Sequence, residues 1–198
     1  MKLFSYLSLL GFATLANCFD AATSYTVTTD GATNYITLAP KATHSKTLLY
    51  LHGGGSSASA AYTYYLKTNQ IASLETKIII LNGPIAAGSG YTWFETVTKG
   101  TGTTDSLGND IVAVQTGANS LDTITTTLLA LIETEKAALP GGSQEYGNIS
   151  VVGFSQGAAT TTALLVKYNK AQPLGYMIAY AGWMPTDRTN WTSASFSV

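Results

Sequence analysis

Cysteine is all but absent from this chain: Cys18 is the only one in 198 residues. A single thiol excludes an internal disulfide. Charge is scarce too, with 11% Asp, Glu, Lys and Arg, against about 25% in an average domain. Ten basic and eleven acidic residues leave a net charge of -1, and no basic run exists. Neither nucleic acid nor an anionic membrane surface is therefore an expected partner. Histidine is limited to His44 and His52. No His/Cys/Asp set has metal-ligand spacing, so no metal or cofactor is expected. Apolar and small residues fill the chain instead: 45% are hydrophobic and 11% aromatic, while Ser, Thr, Asn and Gly supply most polar surface. A chain of this size and composition reads as one packed domain.

The amino terminus reads as a targeting segment. Lys2 precedes the apolar run Leu3 to Leu15, small residues follow, and the first acid is Asp20. That order predicts a secretory signal peptide over residues 1–18, cleaved after Ala16 or Cys18, and a secreted domain over 19–198. A buried amino-terminal helix is the alternative. The run is too short to span a bilayer, and no later segment is a transmembrane candidate.

Downstream, Tyr25 to Thr28 and Asn34 to Leu38 flank Asp30-Gly31, the pattern of a β-hairpin ended by Pro40. Two nearly continuous apolar runs, Lys46 to Leu51 and Lys77 to Leu81, predict strands covered on both faces. A helix is expected from Ala58 to Glu75, with Tyr62, Tyr65, Leu66 and Ile71 as buried candidates. A long loop is expected after Pro84. Leu121, Ile124, Leu128, Leu131, Ile132 and Leu139 recur at helical spacing. A strand from Ile149, a helix from Gln156 to about Asn169, and a strand over Leu174 to Ala181 complete the series. Alternating strands and helices after an antiparallel start predict a three-layer α/β sandwich with a mostly parallel sheet.

Within that series Val151-Val152-Gly153-Phe154-Ser155-Gln156-Gly157 joins an apolar strand to a helix through Gly-x-Ser-x-Gly. A sharp strand-to-helix turn of this kind lifts a serine hydroxyl above the sheet, and the helix terminus favours negative charge beside it. A second glycine turn, His52-Gly53-Gly54-Gly55, ends an earlier buried strand. Its backbone N–H groups suit an oxyanion, whereas the Lys-Ser/Thr ending of a phosphate loop is absent. The candidate oxyanion donors are the N–H groups of Gly54 and Gln156, with Ser155 as nucleophile.

Four blocks in this order resemble the phospholipase/carboxylesterase family of the α/β-hydrolase fold, which includes the acyl-protein thioesterases. They are Leu51-His52-Gly53-Gly54-Gly55, Tyr91-Thr92-Trp93-Phe94-Glu95, Gly153-Phe154-Ser155-Gln156-Gly157-Ala158 and Ala181-Gly182-Trp183-Met184-Pro185. The resemblance covers about Thr47 to Pro185. It implies an α/β-hydrolase fold and cleavage of a small-molecule or lipid acyl ester through an acyl-enzyme on Ser155. It also implies that Trp93 and Phe94 form part of the acyl-binding wall.

The departures are equally informative. Ser56 stands where the family's glycine loop commonly has aspartate. The family's aspartate and histidine follow two further strands beyond the Gly-Trp-Met-Pro block, and here those strands and both residues are missing. The sequence is accordingly expected to be a carboxyl-truncated hydrolase. Asp187 comes too early for the acid, and His44 reads as a solvated surface residue. His52 suits loop shaping better than service as a base. A serine without a base is a weak nucleophile. A non-catalytic module binding an acyl ligand or a protein partner is therefore the alternative function. A sheet ending after Ala181 is also expected to present an apolar edge.

Overall fold

In a computed structural model, residues 25–30, 35–41, 43–67, 75–94, 120–142 and 144–182 are described. Most of their strands belong to one six-stranded sheet. In chain order the strands are β1 (Tyr25–Asp30), β2 (Tyr35–Pro40), β3 (Lys46–Leu51), β4 (Thr76–Leu81), β7 (Ile149–Phe154) and β8 (Met177–Tyr180). A separate two-stranded ribbon comprises β5 (Ile85–Ala87) and β6 (Gly90–Thr92). The helices are α1 (Ala58–Lys67), α2 (Leu121–Ala138) and α3 (Gln156–Lys167). Spatial order in the sheet is β1-β2-β4-β3-β7-β8. The hairpin β1–β2 and the β2–β4 pair are antiparallel, and β4, β3, β7 and β8 run parallel. The expected mostly parallel α/β sheet with an antiparallel amino-terminal hairpin is what the structure contains.

Strand alternation divides the apolar runs between two cores. Leu49, Leu51, Ile79, Leu81, Ile149 and Val151 pack with Ile124, Leu128, Ile132 of α2 and Leu164 of α3. Tyr50, Ile78 and Ile80 join Ile36, Leu38, Ala58 and Ala61 on the opposite face, beneath α1. At the amino-terminal edge of the parallel strands, Lys77 reaches Glu135 of α2 at 2.8 Å. A carboxylate buried there without that ammonium would be costly.

The structure differs from the sequence reading in three places. The stretch after Pro84, expected as a loop, forms the β5–β6 ribbon, turning through Gly88 at a φ of 61°. The last strand is four residues, shorter than the Leu174 to Ala181 run. The helix from Ala58 is described as far as Lys67; positions 68–74, and the side chains of Tyr65 and Leu66, lie outside the described residues, whereas Tyr62 packs against the second core. The amino-terminal segment lies outside them as well. No helix among the described residues is long and apolar enough to cross a membrane. β8 is one of the sheet's two edge strands among the described residues, with Ile178 and Tyr180 exposed.

Candidate active site

The ladder between β3 and β7 ends at Leu51↔Gly153, so the residues just past that pair share the carboxyl edge of the sheet. Ser155 stands there, between β7 and α3, with φ 53° and ψ -115°. A β-carbon in that backbone region is strained. Its surroundings hold it: Ser155 N–H donates to the Tyr180 carbonyl at 3.0 Å, and its own carbonyl accepts from Ala158 and Ala159. The flanking glycines are sterically required. A Cβ on Gly153 would strike the Gly157 carbonyl and the Thr161 hydroxyl, and one on Gly157 would strike the Leu51 carbonyl. Ser155 makes no capping bond with its side chain. Its hydroxyl is thus not committed to α3 and lines an open cavity of about 990 Å³.

The glycine turn after β3 borders the same cavity through Gly53 and Gly54. A Cβ built on Gly53 would lie 3.3 Å from the Ser155 Cβ, which places the two turns in direct apposition. Hydrogen bonding within the turn singles out one amide. Gly55 N–H donates to the Tyr91 carbonyl and Ser56 N–H to the Gly53 carbonyl. Among these three residues that leaves Gly54 N–H without an acceptor among the described residues. Gln156 N–H lies in the first turn of α3, where amides have no intrahelical acceptor. Both oxyanion candidates therefore border Ser155, at a helix end that favours negative charge.

The candidate wall residues lie elsewhere. Trp93 and Phe94 are 2% and 1% exposed and belong to the main core. Neither is among the residues lining this cavity, which instead carries the rings of Tyr50, Tyr64, Phe154 and Tyr180. Phe154 and Tyr180 stack at 5.8 Å between centroids across the β7–β8 pair. Their adjacency was not evident from sequence, although their parallel register follows once β8 is placed beside β7. Among the described residues, no carboxylate or cationic side chain lines this cavity.

His52 is fully engaged in its loop. Nε2 accepts from Gly83 N–H at 3.3 Å, which assigns the proton to Nδ1, and Nδ1 donates to the Gly53 carbonyl at 2.7 Å. Burial holds its pKa below the ordinary value, opposed by the bond to Gly53. A neutral imidazole with both nitrogens occupied shapes the turn and has no lone pair for Ser155. His44 precedes β3, a six-residue strand, and so lies on the order of 20 Å from the Ser155 edge. It is half-buried rather than solvated, lowered in pKa by burial and by the Lys77 ammonium against the pull of Glu135. Glu95, Trp183, Met184, Pro185 and Asp187 lie outside the described residues. Among the described residues no group of three or more His, Cys, Asp or Glu could hold a metal ion.

The sequence pattern described as phospholipase/carboxylesterase matches residues 32–198. No curated protein matches the chain. Among solved structures, Arabidopsis thaliana SOBER1 is 24% identical, with TM-score 0.50, over 73% of this chain and 64% of that one. Esterase PE8 is 19% identical, with TM-score 0.51, over 82% and 66%. A carboxylesterase from Mesorhizobium loti is 18% identical, with TM-score 0.49, over 72% and 58%. This chain thus spans 58% to 66% of these relatives' lengths. The likeness to SOBER1 and esterase PE8 speaks to the fold.

Proposed function

Because this chain belongs to the phospholipase/carboxylesterase family, we propose that it is a serine hydrolase of carboxylic esters with uncharged acyl groups. Ser155 Oγ adds to the acyl carbonyl, and the N–H groups of Gly54 and Gln156 hold the oxyanion. Collapse breaks the ester C–O bond, the leaving alcohol departs with a proton, and water later releases the acid. The observation that carries this reading is a strained serine whose hydroxyl makes no capping bond, set against a Gly54 amide with no acceptor among the described residues. The aromatic rings of the lining, with no acidic or basic side chain beside them among the described residues, suit an uncharged acyl group.

Neither histidine supplies Ser155 with a base, so the acyl-enzyme forms slowly from activated esters and persists. Export is part of the same proposal and rests on Lys2 and the apolar run Leu3 to Leu15.

p-Nitrophenyl butyrate tests the reading. The expected result is release of one equivalent of p-nitrophenol per chain, slow turnover afterwards, and a butyryl group on the Ser155 peptide. Release indistinguishable from that of Ser155→Ala, with no adduct, would leave the non-catalytic acyl-binding module as the function.

A further inference from the structure

We propose that the Gln156 side chain, together with the Trp93 indole, is a positioning element that sets the spacing between the two oxyanion amides. This rests on the hydrolase reading but concerns side chains that the reading leaves without a role. The sheet does not hold the two turns together at this point, because the β3–β7 ladder stops at Leu51↔Gly153. The β5–β6 ribbon and the two residues after it make the connection. Tyr91 binds the glycine turn twice, accepting from Gly55 N–H at 2.8 Å and donating to the Ser56 carbonyl at 2.6 Å. The Trp93 indole N–H donates to the His52 carbonyl at 2.7 Å. On the nucleophile side, Gln156 Oε1 accepts from Trp93 N–H at 2.9 Å, and Nε2 donates to the Phe94 carbonyl at 2.8 Å.

Both ends of the Gln156 amide are thus engaged, and the residue is only 6% exposed. Flipping the amide would set donor against donor and acceptor against acceptor. Its side chain also lies against the other donor: a Cβ on Gly54 would sit 2.9 Å from Oε1. One residue therefore offers its main-chain amide to the oxyanion and uses its side chain to hold the loop carrying the second amide. Trp93 and Phe94 act here as an anchor for that side chain, which explains why core-buried aromatics follow β6.

The test uses the full chain and p-nitrophenyl acetate labelled with ¹³C at the carbonyl. Acetylation forms the Ser155 Oγ–C bond and breaks the ester C–O bond; p-nitrophenolate leaves and the serine proton passes to buffer. The infrared frequency of the acetyl-serine carbonyl then reports its polarisation by the two amides, a property that loss of stability alone does not move. In wild type the band is expected below that of the same adduct after denaturation. In Gln156→Met, which keeps volume and loses both bonds, the band moves up towards the denatured position. Acetylation slows by about tenfold to 100-fold, as for a small misplacement of a catalytic group. Trp93→Phe removes the indole N–H together with part of the buried ring, keeps the Trp93 main-chain bond to Gln156, and is expected to move the band less, in the same direction; it carries the test if Gln156→Met does not fold. An unshifted band and an unchanged acetylation rate in either folded variant would overturn the proposal. Absence of acetylation in wild type would instead overturn the hydrolase reading.

Discussion

Ser120 and Ser155 occupy the same position, the residue before the first turn of a helix, and use it in opposite ways. Ser120 has an ordinary extended backbone, φ -68° and ψ 152°, and its hydroxyl accepts from Thr123 N–H at the start of α2. Ser57 does the equivalent for α1, accepting from Ala60 N–H. Ser155 has φ 53° and no capping bond, yet it introduces a fully formed twelve-residue helix. Two serines stabilise their helices and the third is held in strain by its neighbours. A strained backbone with an uncommitted hydroxyl is a functional signature because stability alone would remove it. Ala181, also at positive φ, lies just beyond the β8 strand that pairs with the elbow strand, so the strain is concentrated along one edge of the sheet.

The comparison breaks most severely if the elbow is forced open. Gly153→Ala drives a methyl into the Gly157 carbonyl and Thr161, and is expected to cost about 3 kcal/mol, near the upper range for overpacking. Urea denaturation measures it; a loss well under 1 kcal/mol would mean that the turn is not closely packed. A smaller effect separates the serines themselves. Ser120→Ala removes a cap and is expected to cost about 1 kcal/mol. Ser155→Ala removes none and should change stability by less than about 0.5 kcal/mol. Equal costs for the two would show that Ser155 is an ordinary cap.

The smallest expected effect is pH-dependent and contrasts the two histidines. Both are lowered in the folded chain from the ordinary value of 6.5. The unfolded chain therefore binds more protons as the pH falls through that value, and stability declines towards the folded pKa values. Denaturant midpoints between about pH 7 and pH 5 should fall. The decline should persist in His44→Gln, because His52 is the more deeply buried. A flat profile in that variant would show that His52 accepts a proton without cost.

Much of this was legible in the chain because it depends on local patterns. Apolar runs at 46–51 and 77–81 specify buried strands whatever surrounds them, and Gly-x-Ser-x-Gly between strand and helix specifies the elbow. The β5–β6 ribbon was not legible. Its strands are three residues each, too short for alternation to register, and Gly90 is required because the Gly55 backbone passes against it. The Gln156 anchor was hidden for a related reason: its partners Trp93 and Phe94 lie more than sixty residues away. The aromatic pair after β6 hinted that something must be buried there, without saying what it holds.

The most direct measurement is labelling of the intact chain with a fluorophosphonate, in which serine oxygen bonds to phosphorus and fluoride leaves, followed by peptide mapping. Phosphonylation is expected at Ser155, with Ser57 and Ser120 unmodified under the same exposure. Label distributed alike over all three serines, or absent from Ser155, would contradict it.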